Sequence, residues 1–337
     1  MSHQVLVEAP GMHRVEDHTP REPGPGEALV AVHAVGVCGS DREVYRGNRP
    51  EGYVRYPLTP GHEWSGTVRA AGAGVPAGLV GRKVVGEGFL NCQVCDRCHA
   101  GETTLCTAGY EETGFTRPGA MAATLTLPAR LLHPLPDDAD LTAAALLEPA
   151  ACVAAAALKA DARPGERVAV VGTGTLGMFA VQFLKAVSPA ELLVVGTRGD
   201  REALSRRFGA TGFRLVSAEE PALPDHFDVV IEAAGSASAA RTAASLLRRG
   251  GRLVLTGIPA PGADGLDPTL LVVRQLEVHT VFGAPPDAWA HTVRVFGAGL
   301  LDPLPLVTHE LELTGFAHAI ELVGAGDPTV GKVLLRP

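Results

Sequence analysis

The chain has 337 residues, which is long enough for two domains with sizeable cores. Hydrophobic residues make up 46% and charged residues 20%, and the net charge of -8 excludes a basic field that would hold nucleic acid or an anionic membrane. No apolar run reaches the roughly 20 residues that a membrane span needs, and residues 1–5 lack the charged and apolar regions of a secretion signal, so we expect a cytoplasmic protein.

The first half of the chain is rich in Pro, Gly and short β-type runs, of which residues 28–32 are an example. This texture predicts an irregular, mostly β domain over residues 1 to about 150. The Ala-rich residues 143–157 at its end are good helix sequence.

Short apolar runs alternate with helical segments in the second half. The predicted strands are at residues 168–171, 192–195, 228–231 and 253–255. The predicted helices are at residues 176–186, 200–208 and 237–248. This alternation indicates a doubly wound parallel sheet. It ends near residue 290, and the tail carries a predicted helix, 317–323, and a final strand, 331–335.

Four cysteines lie close together in the first half: Cys92, Cys95, Cys98 and Cys106. Four thiolates at this spacing can close a tetrahedral Zn²⁺ site with no position left for substrate, which favours a structural zinc ion. An iron–sulfur site and unmetallated thiols are alternatives. A zinc-ribbon DNA module is a further alternative, but the acidic composition argues against it.

Cys38, His62 and Glu148 are three scattered residues of the types that bind Zn²⁺. Three protein ligands and one open position make a catalytic zinc site. Each residue alone has a simpler interpretation: a core cysteine, a hydrogen-bonded loop histidine and a capping or solvent-exposed glutamate.

Residues 172–177 read Gly-Thr-Gly-Thr-Leu-Gly, the G-x-G-x-x-G pattern. The pattern alone is a weak signal in a chain with 40 glycines, but here it follows a predicted strand and opens a predicted helix. Glycines permit a tight turn and a close approach of the backbone to pyrophosphate, and a helix N-terminus favours negative charge. The predicted dinucleotide-binding residues are Gly172, Gly174, Thr175, Leu176 and Gly177.

The motifs follow one another along the chain: Cys38-Gly39-Ser40-Asp41, Gly61-His62-Glu63, the four cysteines, Glu148-Pro149 and the glycine pattern. In this order they resemble the zinc-containing medium-chain dehydrogenase/reductase superfamily, nearest to its sorbitol and threonine dehydrogenases. The resemblance extends to the closing Gly331-Lys332-Val333. It implies an α/β protein with a GroES-like, partly β-barrel catalytic domain, residues 1–152 and 290–337, and a Rossmann dinucleotide-binding domain, residues 153–289.

The resemblance also implies two zinc ions per chain, one catalytic and one held by the four cysteines. Cys38 and His62 would bind the catalytic ion, and Asp41 would accept a hydrogen bond from the far nitrogen of His62. Glu63 would act beside the metal or ligate it. Glu148 lies where relatives place their third ligand, as Cys, Asp or Glu.

A proton relay is a further implication. Ser40 would take the proton from the alcohol. Many relatives carry a His five residues after the Cys38 position, where this chain has Glu43. Either Glu43 passes the proton outward, or the ribose hydroxyl and water do so without it. Cys152 matches no ligand position and is expected to be a buried apolar residue.

The strand after the glycine pattern ends Val195-Gly196-Thr197-Arg198. NAD-dependent proteins carry an Asp or Glu at this strand end to hold the ribose 2′-hydroxyl. Gly196 removes that charge and leaves room for a 2′-phosphate, Thr197 can donate a hydrogen bond, and Arg198 can pair with the phosphate. We therefore predict NADP(H) rather than NAD(H). The alternative is that Arg198 faces solvent and Asp200 serves NAD.

Polar side chains in the flanking segments suit a hydroxyl-rich substrate: Tyr45, Arg46, Arg55, Tyr56 and Arg117. Each arginine alone could equally be a solvated loop charge. The predicted reaction is hydride transfer between NADP and a secondary alcohol, which is a polyol, a sugar or an aminocyclitol. Residues 61–68 and 114–117 look similar to the 2-deoxy-scyllo-inosamine dehydrogenases of aminoglycoside pathways, and a ketone reductase of another pathway is an alternative.

Two other classes of protein remain as alternatives. A zinc-free quinone or enoyl reductase of the same superfamily would lack the cysteine cluster and the scattered ligands. A zinc- and nucleotide-binding protein without catalysis would be expected to show damage at Cys38, His62 or Ser40. Beyond a small-molecule substrate, the expected partner is a second copy of the chain, since relatives are homodimers or homotetramers that commonly pair through the Rossmann sheet edge. Residues 276–281 are the candidate edge strand.

Overall fold

The computed structural model describes residues 2–216, 225–259 and 265–337. The chain divides into two compact units. The first comprises Met1–Glu148, Pro285–Gly297 and Asp302–Pro337, and the second comprises Pro149–Ala284 and Ala298–Leu301. None of the helices in the described ranges combines the length and the apolar character that crossing a membrane demands.

The strands in the described residues, numbered along the chain, are β1 His3–Ala9, β2 Met12–Asp17, β3 Glu27–Val37, β4 Glu63–Ala71, β5 Lys83–Gly86, β6 Thr124–Pro128, β7 Leu132–Pro134, β8 Arg167–Val171, β9 Glu191–Gly196, β10 Gly212–Leu215, β11 Phe227–Glu232, β12 Leu247–Leu255, β13 Glu277–Thr280, β14 Val307–Glu312 and β15 Lys332–Arg336. The α-helices there are α1 Gly39–Arg46, α2 Asp96–His99, α3 Leu141–Ala144, α4 Leu147–Ala160, α5 Thr175–Lys185, α6 Glu202–Phe208, α7 Ala237–Leu246, α8 Pro268–Arg274, α9 Pro286–Gly297 and α10 Phe316–Gly324.

The first unit is built on a mainly antiparallel sheet in the order β14-β15-β3-β4-β5-β7, with β6 also paired to β3. The long strand β3 is the centre of this sheet. Its first half alternates buried and partly exposed residues, and its last four residues are all buried. Small and β-branched side chains suit such a strand, because both of its faces pack against neighbours.

The C-terminal strand β15 pairs antiparallel with the end of β3, with Val333 opposite Val37. The start of β4 pairs with the same stretch of β3, with Glu63 opposite Gly36. Two segments that are about 270 residues apart in sequence, at Glu63 and Lys332, therefore meet at one end of β3. The register of these pairs is what assembles the site described below.

The second unit is a six-stranded sheet in the order β10-β9-β8-β11-β12-β13, and every pairing in it is parallel. In sequence order this is 3-2-1-4-5-6, the order of a Rossmann sheet. The structure confirms the alternation of strands and helices predicted for this region. Within the described residues β13 lies at one edge of the sheet, which confirms the predicted edge strand.

Candidate functional site

Three possible metal ligands meet where β3 ends and β4 begins. Cys38 directly follows β3 and precedes the first residue of α1, His62 directly precedes β4, and Glu63 is the first residue of β4. The ligand atoms of these three residues all lie within 4.8 Å of one another. His62 and Glu63 are buried, with exposed fractions of 5% and 1%. A thiol, an imidazole and a carboxylate in this arrangement are a donor set that fits Zn²⁺.

Glycine makes this convergence possible at two positions. A Cβ atom at Gly36 would collide with the carboxylate of Glu63, so only glycine leaves the room that this carboxylate occupies. Gly61 has φ of +101°, a conformation that side chains rarely adopt, and a Cβ there would lie 2.8 Å from Cγ of Met121. Glycine at these two positions therefore leaves the space and allows the backbone conformation that His62 and Glu63 need.

His62 is held on three sides. Asp41 is fully buried, accepts the backbone N–H of Cys38 at 2.9 Å, and has its Oδ1 3.5 Å from Nδ1 of His62. Ser40 Oγ lies 3.4 Å from Nε2 of the same ring. The ring of Phe115 packs against it, with centroids 4.7 Å apart. Burial favours the neutral imidazole, but the negative charge of Asp41 outweighs this and raises the pKa of His62 well above its usual range.

Glu148 lies at the start of α4 and takes no part in the three-residue cluster. Within the described residues, the group whose ligand atoms lie within 4.8 Å contains Glu63 and not Glu148. Burial raises the pKa of Glu148 to about 7, His62 opposes this shift, and the charges of Glu63 and Glu112 reinforce it. Glu63 is thus the third residue of the cluster in the structure. Glu148 lies close enough for its charge to interact with those of His62 and Glu63.

Lys332 is a part of the site that the sequence analysis missed. Its ammonium lies 2.6 Å and 2.5 Å from the two carboxylate oxygens of Glu63, and both residues are buried. Burial disfavours the charged amine, but the carboxylate of Glu63 outweighs this and raises the pKa of Lys332 to about 12. The signal was present in the closing Gly-Lys-Val motif, but nothing in the sequence shows that this lysine pairs with Glu63.

In the zinc-free protein we expect Lys332→Met to lower the free energy of unfolding by about 3 to 5 kcal/mol, because it leaves the buried carboxylate of Glu63 without its ammonium partner. The free energy of unfolding in urea measures the effect. Lys83→Met is a matched control in the same unit, since Lys83 donates to a backbone carbonyl, that of Ala139, at 2.7 Å. An equal decrease in the free energy of unfolding in the two variants would mean that the Lys332–Glu63 pair does not contribute specifically to stability.

A second layer of polar groups surrounds Phe115. The guanidinium of Arg49 lies 3.8 Å from the centre of the Phe115 ring, on which it stacks. It also donates to the hydroxyl of Tyr110 at 2.9 Å and lies 3.8 Å from the buried carboxylate of Glu112. Arg49 lies 3.8 Å from the exposed carboxylate of Glu43, the residue at the predicted outer end of the relay.

Four of the five polar side chains that we expected around a substrate contact other protein groups. The hydroxyl of Tyr45 donates to the carbonyl of Gly11 and that of Tyr56 to the carbonyl of Val44. Two more are ion-paired with a shared carboxylate, that of Glu111, at 3.0 Å each: Arg55 and Arg117. Arg46 is exposed at the end of α1. These contacts give the four side chains a structural role, and the predicted polar lining stays a prediction.

The four cysteines form a separate cluster in the segment around α2. Their sulfur atoms all lie within 4.8 Å of one another, and Sγ of Cys92 and Cys98 are 3.8 Å apart. Four sulfurs that each lie about 2.3 Å from one zinc ion are about 3.8 Å apart at the corners of a tetrahedron. Backbone N–H groups of Cys92 and Cys95 point at cluster sulfurs, both at 3.4 Å. The cluster therefore fits a closed, four-thiolate metal site.

The glycine pattern lies where the sequence predicts, between β8 and α5. A Cβ at Gly172 would lie 2.8 Å from the backbone of Ala233, at the end of β11, and a Cβ at Gly177 would collide with the carbonyl oxygen of Gly172. At Gly174, the residue before α5, nothing lies within 4 Å of a Cβ. The loop thus has a tight turn, a close helix–strand contact and one open backbone position, which together fit a dinucleotide pyrophosphate.

We expect Gly177→Ala to lower stability by about 1 to 3 kcal/mol, because its methyl group is forced into the Gly172 carbonyl. Gly174→Ala is the matched control: its φ of −78° suits alanine and its surroundings are open, so its stability should change by less than about 0.5 kcal/mol. Thermal melts in the absence of cofactor measure both. A stability loss as large in Gly174→Ala would contradict the packing argument.

Gly196 has a packing role besides any effect on the cofactor. A Cβ at this position would collide with the methyl group of Thr173 from the glycine pattern. The absence of an acidic residue here therefore does not by itself show which cofactor is used. Arg198 lies two residues beyond and is hydrogen-bonded to Asp200 at 2.9 Å.

Both domains match models of known protein families. The model of the alcohol dehydrogenase GroES-like domain matches residues 24–137, and that of the zinc-binding dehydrogenase matches residues 175–297. An L-threonine 3-dehydrogenase of Deinococcus deserti is 31% identical, over 96% of this chain and 95% of its own.

Solved structures of other proteins have the same fold. A thermostable alcohol dehydrogenase from Pyrobaculum aerophilum is 31% identical, with a TM-score of 0.89 over 100% of this chain and 99% of its own. A protein from Sinorhizobium meliloti, determined with bound NADP, is 26% identical, with a TM-score of 0.91 over the same shares.

The fold and the relatives together define an oxidoreductase of the zinc-dependent alcohol dehydrogenase class. The chain belongs to the zinc-binding medium-chain dehydrogenase/reductase family. This confirms the predicted fold class, a GroES-like domain with a Rossmann domain, and the predicted enzyme class.

Proposed function

We propose that the protein transfers a hydride between NADP(H) and a secondary alcohol of a polar substrate, which is a polyol, a sugar or an aminocyclitol. Cys38, His62 and Glu63 would hold a catalytic zinc ion, and the four cysteines would hold a structural one. The observation that carries the proposal is the convergence of the three ligand atoms within 4.8 Å, beside the hydroxyl of Ser40.

When bound, the catalytic zinc ion would polarise the carbon–oxygen bond of the substrate, and the nicotinamide would supply or accept the hydride. Ser40 would relay the proton: its Oγ accepts the proton from the alcohol while the hydroxyl's own proton moves outward, and its place beside His62 at the cluster supports this role. In the reverse direction, Ser40 returns the proton to the carbonyl oxygen. Asp41 orients the imidazole of His62. Beyond Ser40, the proton reaches solvent through Glu43 or through the ribose hydroxyl and water.

The preference for NADP rests on Arg198, which follows the end of β9 and carries a fork of donors that suits a phosphate. The Sinorhizobium meliloti protein of the same fold binds NADP, which agrees with this preference. The dinucleotide would lie on the glycine pattern, with Gly172, Gly174, Thr175, Leu176 and Gly177 at the N-terminus of α5 and with Gly196, Thr197 and Arg198 near its adenosine ribose.

An aminocyclitol such as 2-deoxy-scyllo-inosamine is one specific candidate substrate, beside a polyol or a sugar. The similarity of residues 61–68 and 114–117 to the dehydrogenases that act on this compound supports this candidate. L-Threonine, the substrate named for the Deinococcus deserti relative, also carries an ammonium group and a secondary hydroxyl. A ketone reductase acting in another pathway is the second candidate.

Cofactor reduction by the purified, zinc-replete enzyme tests this function. NADP⁺ and NAD⁺ are offered in parallel with 2-deoxy-scyllo-inosamine, L-threonine, polyols, sugars and simple secondary alcohols. Turnover with NADP⁺ and an amino alcohol supports the proposal in full, whereas turnover of simple alcohols only would discard the polar substrate. No turnover in either direction, with zinc and dinucleotide bound, would indicate a binding protein without catalysis.

We also propose a homodimer or homotetramer that pairs through the edge of the Rossmann sheet. Strand β13 lies at this edge, and large apolar side chains are exposed on it and on the preceding α8: Val272, Val273 and Val278. Exposed apolar side chains beside a free strand edge are typical of an interface. Replacing Val272 and Val273 with Asp should shift the protein to monomers in sedimentation velocity.

A further inference from the structure

Asp200 lies between two arginines just after β9. Nη2 of Arg198 donates to its Oδ2 at 2.9 Å and Nε to its Oδ1 at 3.4 Å, so one guanidinium holds both carboxylate oxygens. Nε of Arg201 lies 3.5 Å from the same Oδ2. The hydrogen bonds from Arg198 lower the pKa of Asp200. One carboxylate therefore serves two guanidinium groups.

The side chains of the two arginines differ in their solvent exposure. The side chain of Arg201 is 13% exposed and that of Arg198 is 33% exposed. Burial and the positive charge of Arg198 both lower the pKa of Arg201. A partly buried cation beside a second cation gains more from an extra anion than a solvated one does.

The strand that leads to the two arginines packs against the glycine pattern in the second unit. The side chain of Thr173 packs against Gly196, and Gly196 ends the strand that leads to Arg198. Strands β8 and β9 are paired in parallel, so their carboxyl ends lie side by side. A dinucleotide on the glycine pattern would therefore have its adenosine end at this strand end.

The carboxylate of Asp200 brings one negative charge to the two guanidinium groups. A phosphate monoester carries about −1.5 to −2 at neutral pH and accepts more hydrogen bonds than a carboxylate. A phosphate is thus the stronger partner for the same two arginines. To reach them it must take the place that Asp200 holds.

We propose that Asp200 is a specificity-determining residue that competes with the 2′-phosphate of NADP for Arg198 and Arg201. In the free protein its carboxylate contacts both guanidinium groups. The phosphate must displace this carboxylate, which lowers the affinity of the protein for NADP. Asp200 thereby narrows the preference for NADP over NAD. This inference rests on the proposed use of NADP(H).

Calorimetric titration of the full chain tests the inference without catalysis. The probes are 2′,5′-adenosine diphosphate, which carries the 2′-phosphate, and 5′-adenosine monophosphate, which carries a free 2′-hydroxyl. Asp200→Asn should tighten binding of the diphosphate about fivefold at low salt, with a smaller gain at high salt, and leave the monophosphate unchanged. Glu202→Gln is the matched control, because Glu202 pairs with Arg206 instead, and it should change neither affinity.

The outcomes separate the inference from the proposed function. If the wild-type chain binds both probes equally and Arg198→Ala changes neither affinity, the use of NADP is wrong. If Arg198→Ala weakens only the diphosphate but Asp200→Asn does not tighten it, the inference alone is wrong. If Asp200→Asn weakens the monophosphate, Asp200 instead accepts the ribose hydroxyl, as it would in an NAD-dependent protein, and the inference is overturned.

Discussion

Replacing Cys38 or His62 with alanine is expected to lower kcat/KM by about 10³-fold or more and to remove one of two zinc ions per chain. Each variant takes one donor from the cluster that also contains Glu63, and a metal that polarises the reacting oxygen contributes several kcal/mol to the barrier. Cofactor reduction at saturating NADP⁺, together with metal analysis of the same samples, measures both effects.

Cys152→Ala is the control for the loss of a cysteine. Among the described residues, Cys152 belongs to neither of the two groups that could hold a metal. Its replacement should leave the zinc content and the turnover close to those of the wild-type chain. Wild-type turnover in Cys38→Ala or His62→Ala after one zinc ion has gone would show that the reaction does not use this cluster.

Cys98→Ser is expected to remove the other zinc ion and to lower the melting temperature by roughly 10 °C, while the catalytic cluster keeps its ligands. The cysteine segment has short helices and exposed apolar side chains, among them Val94 and Leu105, so it has little packing of its own. Metal binding supplies much of the folding free energy of such segments. Melting curves and metal analysis give the two readouts.

Limited proteolysis shows where the loss of stability occurs. The zinc-depleted segment should be cleaved between residues 92 and 106 before the rest of the chain, because its backbone is then no longer held by the four sulfurs. The first unit also anchors this segment through Arg130, which donates to Asn91 at 3.2 Å and 2.9 Å. An unchanged cleavage pattern and melting temperature in Cys98→Ser would contradict a structural metal at this site.

The sequence predicted local structure best in the second half of the chain, where short apolar runs recur and the glycine pattern occurs. The apolar runs of the second half became β8, β9, β11 and β12, and the glycine pattern lies between β8 and α5. Each of these elements depends on residues within about ten positions of itself, so its physical cause is visible in the chain. The family was predicted from the order of the motifs, and the relatives confirm it.

The contacts around the predicted ligands were not visible in the same way. Nothing in the sequence shows that Phe115 packs against His62, that Arg49 lies over Phe115, or that Lys332 pairs with Glu63. The polar lining was expected from nearness in sequence, which did not show that four of its five residues contact other protein groups. Such contacts come from strand pairing and loop packing between distant segments, which no local pattern records.

By itself the sequence determined which chemical groups are available: the thiols, the imidazole, the glycines and the arginines that follow β9. Only the tertiary structure decided which of them act together. The pairing of β3 with β4 and β15 brings Cys38, Glu63 and Lys332 to one end of the sheet. The turn after β9 gives Arg198 and Arg201 a common carboxylate. The reason is physical, because a binding site needs groups a few ångströms apart, and only the register of distant strands and the path of the turns bring them there.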